Sequence, residues 1–250
     1  MKRTKMLRFD MGSPLAAIVF VMMAGTAAAH AAESANTKVP DTIAERVRAC
    51  TVCHGKEGRA TSEGYYPRIA GKPAGYLYNQ LVNFREGRRR NAMMTYLVSN
   101  LPDAYLQEIS AHFASLNPPY TTPAVAPTPV NVLERGRELA LRGDSSRDVP
   151  ACTACHGDAL TGIAPSVPGL LGLSRDYISS QFGAWRISAR HAAAPDCMAE
   201  ITRRMSADDV SSVAAYLGLQ KVPANAAPAS VMPTTPPLEC GSFAVTSRLP

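Results

Sequence analysis

The sequence predicts an all-α protein made of two tandem copies of one helical domain. Three observations predict it. The motif C-x-x-C-H occurs twice, as CTVCH over Cys50 to His54 and as CTACH over Cys152 to His156, starting 102 residues apart. Pro67, Gly71, Tyr76, Gln80, Phe84 and Arg85 recur 101 residues later as Pro168, Gly172, Tyr177, Gln181, Trp185 and Arg186, and duplication in one register marks a repeated structural unit. Each half then ends on apolar residues at helical spacing, Leu106, Ile109 and Phe113 in the first and Val210, Val213 and Leu217 in the second.

Each element follows in chain order. The first 32 residues carry Lys2, Arg3, Lys5 and Arg8 ahead of a small, apolar stretch and an A-x-A option at Ala29 to Ala31, which reads as an export signal. A spanning helix needs about 20 strongly apolar residues, and this run is short and alanine-rich, so a cleaved signal is expected, with a retained anchor as the alternative. A first domain is expected over 33–117. Its helix from Thr42 to Cys50 enters the first motif, an irregular loop follows to Pro67, and further helices are expected over Tyr76 to Glu86 and near Leu106 to Phe113. Residues 118–130 form a stiff, extended connector, with five prolines and no glycine between Asn117 and Val130. The second domain, 131–222, repeats the order, with helices over Asn131 to Arg142 and Tyr177 to Ile187 and a closing helix started by a capping box at Ser206 and Asp209. An Ala- and Pro-rich tail occupies 223–250.

The motif spacing carries chemistry. Two cysteines three positions apart project to one side of a helical turn, so both sulfurs reach the vinyl groups on one porphyrin edge, and the next histidine meets the iron from the proximal face. Zinc ribbons want a second cysteine pair within about 15–20 residues, and thioredoxin-like pairs sit beside a βαβ pattern. Neither context is present, so two covalently bound haem c groups are expected, held by Cys50, Cys53 and His54 and by Cys152, Cys155 and His156. The repeat register selects the opposite ligands. Met198 precedes Met205 by seven residues and Met94 precedes the equivalent Leu101 by seven, whereas Met93 is one position out of step. A methionine thioether opposite histidine raises the potential into the electron-transfer range. His112 aligns with Tyr216 as a packing position, and His191 falls at the position of Arg90.

Two cysteines remain once the motifs take four, and in an exported chain Cys197 and Cys240 are expected to form a disulfide across the Met198 loop; the alternatives are free thiols or an intermolecular bridge. The formal charge is +6. Removing the four basic residues and Asp10 of the signal gives 6 − 3 = +3 for the remainder, and four haem propionates would bring the holoprotein near neutrality. A nucleic-acid partner is therefore not indicated. The run Arg88 to Arg90 reads either as a docking patch for an acidic partner or as a solvated helix end beside a haem propionate.

With CTVCHG, CTACHG, a P-x-x-x-G element after each (Pro67 to Gly71, Pro168 to Gly172) and a methionine ahead of each closing helix, the chain resembles the di-haem cytochrome c4 family from about Ile43 to Leu219. The resemblance implies two class I cytochrome c domains related by a pseudo-twofold axis. It also implies proline carbonyls at 67 and 168 bonded to the proximal histidines, and propionates of the two haems near each other. The longer methionine loop of the second half, with Cys197, departs from that pattern. Irons closed on both faces would exchange only electrons, so the expected role is a periplasmic one-electron carrier rather than an enzyme. Its redox partners would be a periplasmic dehydrogenase or quinol-oxidising complex and a terminal oxidase, with membrane association only through them. Two other classes stand beside it. One is a dedicated cytochrome subunit of a periplasmic dehydrogenase complex, to which the tail points. The other is a di-haem enzyme, a peroxidase or sulfur-compound dehydrogenase, for which Cys197 beside Met198 marks the second haem.

Overall fold

Eleven α-helices, two 3-10 turns and one short ribbon make up the regular structure of the described part of the chain, which in this computed structural model covers residues 39–121, 127–232 and 235–246. The expected signal, 1–32, and residues 122–126 of the connector lie outside the described residues. Everything below belongs to the unit Asp41–Pro250.

Helix α1 (Ile43–Arg46) starts where the Thr42 side chain accepts from the Glu45 amide at 3.3 Å. The chain turns at Val47 and continues as α2 (Arg48–His54), so the single expected helix is two. Gly55 ends it at φ +75°, where a Cβ would lie 2.4 Å from the Ala60 carbonyl oxygen; only glycine fits behind the histidine. Helices α3 (Ala74–Arg85), α4 (Ala92–Val98) and α5 (Asp103–Ser115) complete the first half. Arg46 ties α1 to α5 through Glu108 at 3.0 Å and by stacking on Tyr105.

The second half begins with α6 (Val130–Leu141), one residue inside the expected connector. It continues with α7 (Thr153–His156), α8 (Arg175–Arg186), α9 (Cys197–Arg204) and α10 (Ala207–Leu219). The capping box is present: Ser206 Oγ accepts from the Asp209 amide at 3.0 Å and the Asp209 carboxylate accepts from the Ser206 amide at 2.9 Å. Helices α6 and α10 cross so closely that a Cβ on Gly136 would sit 2.1 Å from the Ser212 carbonyl oxygen.

One element departs from the expected irregular loop after the second motif. Gly162–Ile163 (β1) pairs antiparallel with Val167–Pro168 (β2), and Ala229 of the tail pairs in parallel with Ile163. Strands of two residues carry no period-2 alternation, and the third partner comes from 66 residues downstream. The tail then forms α11 (Gly241–Thr246), and the Asn79 side chain on α3 donates to the Ser242 carbonyl at 3.2 Å.

The two halves meet along a backbone seam. Arg89 and Arg190 form an antiparallel bridge, flanked by Arg90 N–H to Ala189 O and His191 N–H to Arg88 O, each at 2.7 Å. Ser174 Oγ donates to Gly64 O at 2.6 Å and Lys72 Nζ to Gly169 O at 2.7 Å across the same junction.

Candidate haem sites

Each site grows from one helical turn. Cys50, Cys53 and His54 lie on α2, which carries both sulfurs and the imidazole toward one side. Cys152, at the start of α7, with Cys155 and His156 repeats the arrangement. His54 and His156 are 9% and 8% exposed. Their Nδ1–H groups donate to the carbonyls of Pro67 at 2.8 Å and Pro168 at 2.7 Å. That bond fixes the tautomer and leaves Nε2 with its lone pair for a metal. Burial lowers the pKa of both histidines, with the charges of Arg89 and Lys72 respectively acting the same way, so both rings favour the neutral, ligating form. Burial also pushes the Cys152 thiol up to about 12 and raises Cys50 and Cys155. Sulfurs in such apolar surroundings suit a covalent thioether, which carries no charge.

The methionines sit on short capped helices. The Asn91 side chain accepts from the Met94 amide at 3.0 Å and starts α4, and Asp196 does the same for Ala199 at 3.1 Å and starts α9. Met94 packs on Tyr78, Val82, Phe84, Val98 and Leu106, whereas Met93 is 60% exposed. The register that preferred Met94 agrees with this burial. Leu81 and Leu101 border both the cluster that holds Met94 and the cluster that holds Cys50, and Cys152 and Met198 border a single core in the second half. A cysteine and a methionine bordering one apolar core in the second half, and two adjoining apolar clusters in the first, make the environment a large, flat, apolar cofactor requires.

Both methionine segments are pinned by residues whose role the sequence did not reveal. Arg85 donates to the Leu101 carbonyl at 2.9 Å and Arg186 to the Met205 carbonyl at 2.5 Å. These repeat-related arginines hold the equivalent carbonyls just before each closing helix. The second segment is also tied by the Cys197–Cys240 disulfide, with Cα atoms 5.2 Å apart, as the cysteine count anticipated. His112 lies 5.3 Å from the Phe113 ring on α5, and the His191 backbone is held at the seam by its bond to Arg88 O. Among the described residues no group of three His, Cys, Asp or Glu side chains is placed to hold a bare metal ion. Two cysteines and a histidine on one turn, with a methionine bordering the apolar core of the same half, are a donor set that fits haem.

The comparisons agree with this chemistry. A thiosulfate dehydrogenase electron acceptor from Thiomonas intermedia is 36% identical over 171 residues, 68% of this chain and 78% of that protein. A cytochrome c4 from Pseudomonas aeruginosa is 30% identical over 170 residues, 67% of this chain and 82% of its own. The chain belongs to the di-haem cytochrome c4 family. The solved cytochrome c4 of Acidithiobacillus ferrooxidans superposes with a TM-score of 0.58 at 26% identity, covering 69% of this chain and 98% of that one. No family profile matches the chain. As a di-haem cytochrome c4 the protein carries two covalently bound haem c groups and is an electron-transfer protein rather than an enzyme. No described helix is long and apolar enough to cross a membrane.

Proposed function

We propose that this cytochrome works in the periplasm, accepting electrons one at a time from a thiosulfate-oxidising dehydrogenase and passing them to a terminal oxidase. The observation that carries the donor assignment is the 36% identity to a thiosulfate dehydrogenase electron acceptor across both halves. In this reading Cys50 and Cys53 attach the first haem, which His54 and Met94 ligate, and Cys152 and Cys155 attach the second, ligated by His156 and Met198. The haem irons supply a one-electron couple when bound. The chain's own residues do the rest. The Pro67 and Pro168 carbonyls hold each imidazole in one tautomer, and Arg85 and Arg186 hold the methionine segments in place. The apolar cores exclude water, so little reorganisation accompanies a change of charge.

Three measurements test the reading. Mixed with catalytic thiosulfate dehydrogenase and thiosulfate, the oxidised protein is expected to take up two electrons per chain. Reduced protein is expected to bind no carbon monoxide, and oxidised protein to show a methionine–sulfur charge-transfer band at both haems. Carbon monoxide binding at either haem of freshly isolated protein would overturn the carrier assignment; failure of reduction by that donor would overturn only the choice of partner.

A further inference from the structure

Lys72 is a buried cation that the repeat does not require. Its counterpart 101 residues on is Leu173, which packs against the apolar core of the second half, so an apolar side chain serves at this turn. Lys72 is nevertheless 6% exposed and sends its ammonium into the other half, donating to the Gly169 carbonyl at 2.7 Å. Among the described residues no carboxylate pairs with it. Arg68, the cation whose charge acts on Lys72, is held elsewhere. It donates to the carbonyls of Ala70 at 3.1 Å, Pro118 at 2.7 Å and Pro119 at 3.2 Å and stacks 3.8 Å from the Tyr120 centroid. An ammonium taken out of water without a counter-charge is unfavourable, so a lysine in place of leucine here costs stability.

The acceptor shows what that cost supports. Pro168 and Gly169 are consecutive: the Pro168 carbonyl accepts from His156 Nδ1 at 2.7 Å, and the next carbonyl accepts from Lys72. Their segment is fixed by the pairing of Pro168 with Gly162 and by Leu170 N–H to Leu160 O at 2.8 Å. Gly169 lies so close to Thr161 that a Cβ would fall 2.4 Å from the Thr161 carbonyl oxygen. The ammonium thus reaches a rigid segment directly behind the proximal histidine of the second site, and its charge acts on the His156 ring. The repeat offers His54 no such charge, because the equivalent donor position holds Leu173. We propose that Lys72, a residue of the first half, is a positioning residue for the second haem: its ammonium holds the Pro168–Gly169 segment behind His156 and selectively raises the reduction potential of that haem. The proposal rests on the reading of His156 as the second haem's proximal ligand. A fixed positive charge favours the reduced, less positive iron, and a buried one is screened little by salt. An electron shared between the haems is therefore drawn toward the second half.

The test is spectroelectrochemical titration of the full-length holoprotein at about pH 6, where the ammonium is mostly protonated because burial and Arg68 bring its pKa down to about 7. Haem content per chain is read first, and the wave that Met94→Ala displaces is assigned to the first haem. Lys72→Met and Lys72→Leu keep an apolar stem and remove the charge. Each is expected to shift the one-electron ratio of the second haem toward the oxidised form by at least about threefold, a lowering of about 28 mV or more, and to move the first haem by less. Lys221→Met removes the same charge from an exposed position just past α10 and is expected to move either haem by less than about threefold. A second-haem shift below about threefold, a first-haem shift as large as that of the second, or an equal shift from Lys221→Met would each overturn the proposal. Fewer than two haems in wild type would sink the ligand reading and this proposal with it, whereas two haems with an unresponsive second potential sink the proposal alone. If both Lys72 variants lose haem, a crystal structure of the wild-type holoprotein decides. Lys72 Nζ about 2.7–3.2 Å from Gly169 O is expected, and an ammonium turned to solvent would refute the role.

Discussion

Replacing Cys240 by serine is expected to release the tail from α9 and cost the second half about 4 kcal/mol. The disulfide closes a loop of 43 residues, for which the chain-entropy relation gives about 13 cal/mol/K, or about 4 kcal/mol at 25 °C. The proposed haem thioethers, at Cys50 with Cys53 and at Cys152 with Cys155, lie outside that loop and leave its freedom in the unfolded chain intact. At about 2–4 °C per kcal/mol for a protein of this size, the midpoint should fall by roughly 8–16 °C. The assay is thermal unfolding of the holoprotein followed at the haems, with wild type, Cys240→Ser and thiol-treated wild type all in the ferrous state. Thiol-treated wild type should coincide with the variant. In the ferric variant the methionine–sulfur band of the second haem should weaken on warming before that of the first, because Met198 follows Cys197 directly. Coincident midpoints for all three samples, with both bands equally persistent, would refute the idea that the tail restrains α9.

Other consequences are equally specific. Met94→Ala is expected to abolish the charge-transfer band of the first haem, lower its potential and open it to carbon monoxide, whereas Met93→Ala changes none of these; equal effects would reassign the ligand. Gly136→Ala places a Cβ 2.1 Å from the Ser212 carbonyl oxygen, so α6 and α10 must separate, with a loss of about 2 kcal/mol or more in denaturant unfolding. Asp209→Asn weakens the bonds from Arg135 at 2.9 Å and Arg147 at 2.6 Å and disrupts the capping box, for an expected loss of about 2–3 kcal/mol. The same network sets acid sensitivity. Burial pushes Asp209 upward, but Arg147, Ser206 and Arg135 outweigh it and hold the carboxyl well below its usual range, and Ser146, Arg135 and Arg147 hold Asp144 there too. Carboxyls with depressed folded pKa values stabilise fully above the unfolded value of about 3.9 and lose that contribution as pH falls through the folded values. Acid unfolding of Asp209→Asn should therefore be flatter below about pH 4, and a slope matching wild type would exclude the network as its source.

What was legible in the sequence was whatever the repeat wrote twice or the chemistry fixed by spacing. The helices around both motifs came from register, which also singled out Met94, the methionine packed inward where Met93 is exposed, and the disulfide came from a count of cysteines in a chain expected to be exported. The ribbon at Gly162 to Pro168 escaped because two-residue strands leave no periodic trace. The seam escaped for another reason. Tyr76, Gln80 and their counterparts were visible as a repeat, but Arg89 sat inside a run that reads as a solvated helix end, and only the packing of the halves turns it inward. Lys72 is the same case: a lysine beside a glycine looks exposed, yet its ammonium is buried against the Gly169 carbonyl, and burial with the nearby Arg68 charge brings its pKa down to about 7.

The chain is made from its amino end, so Cys240 is delivered long after the helix it must lock. Every residue of the second motif, and Met198 itself, has already emerged before the covalent ring can close. Until both sulfurs are joined, the methionine-bearing helix of the second half keeps only its non-covalent hold on its neighbours, and the bond between residues 43 apart in sequence is what fastens it to the tail.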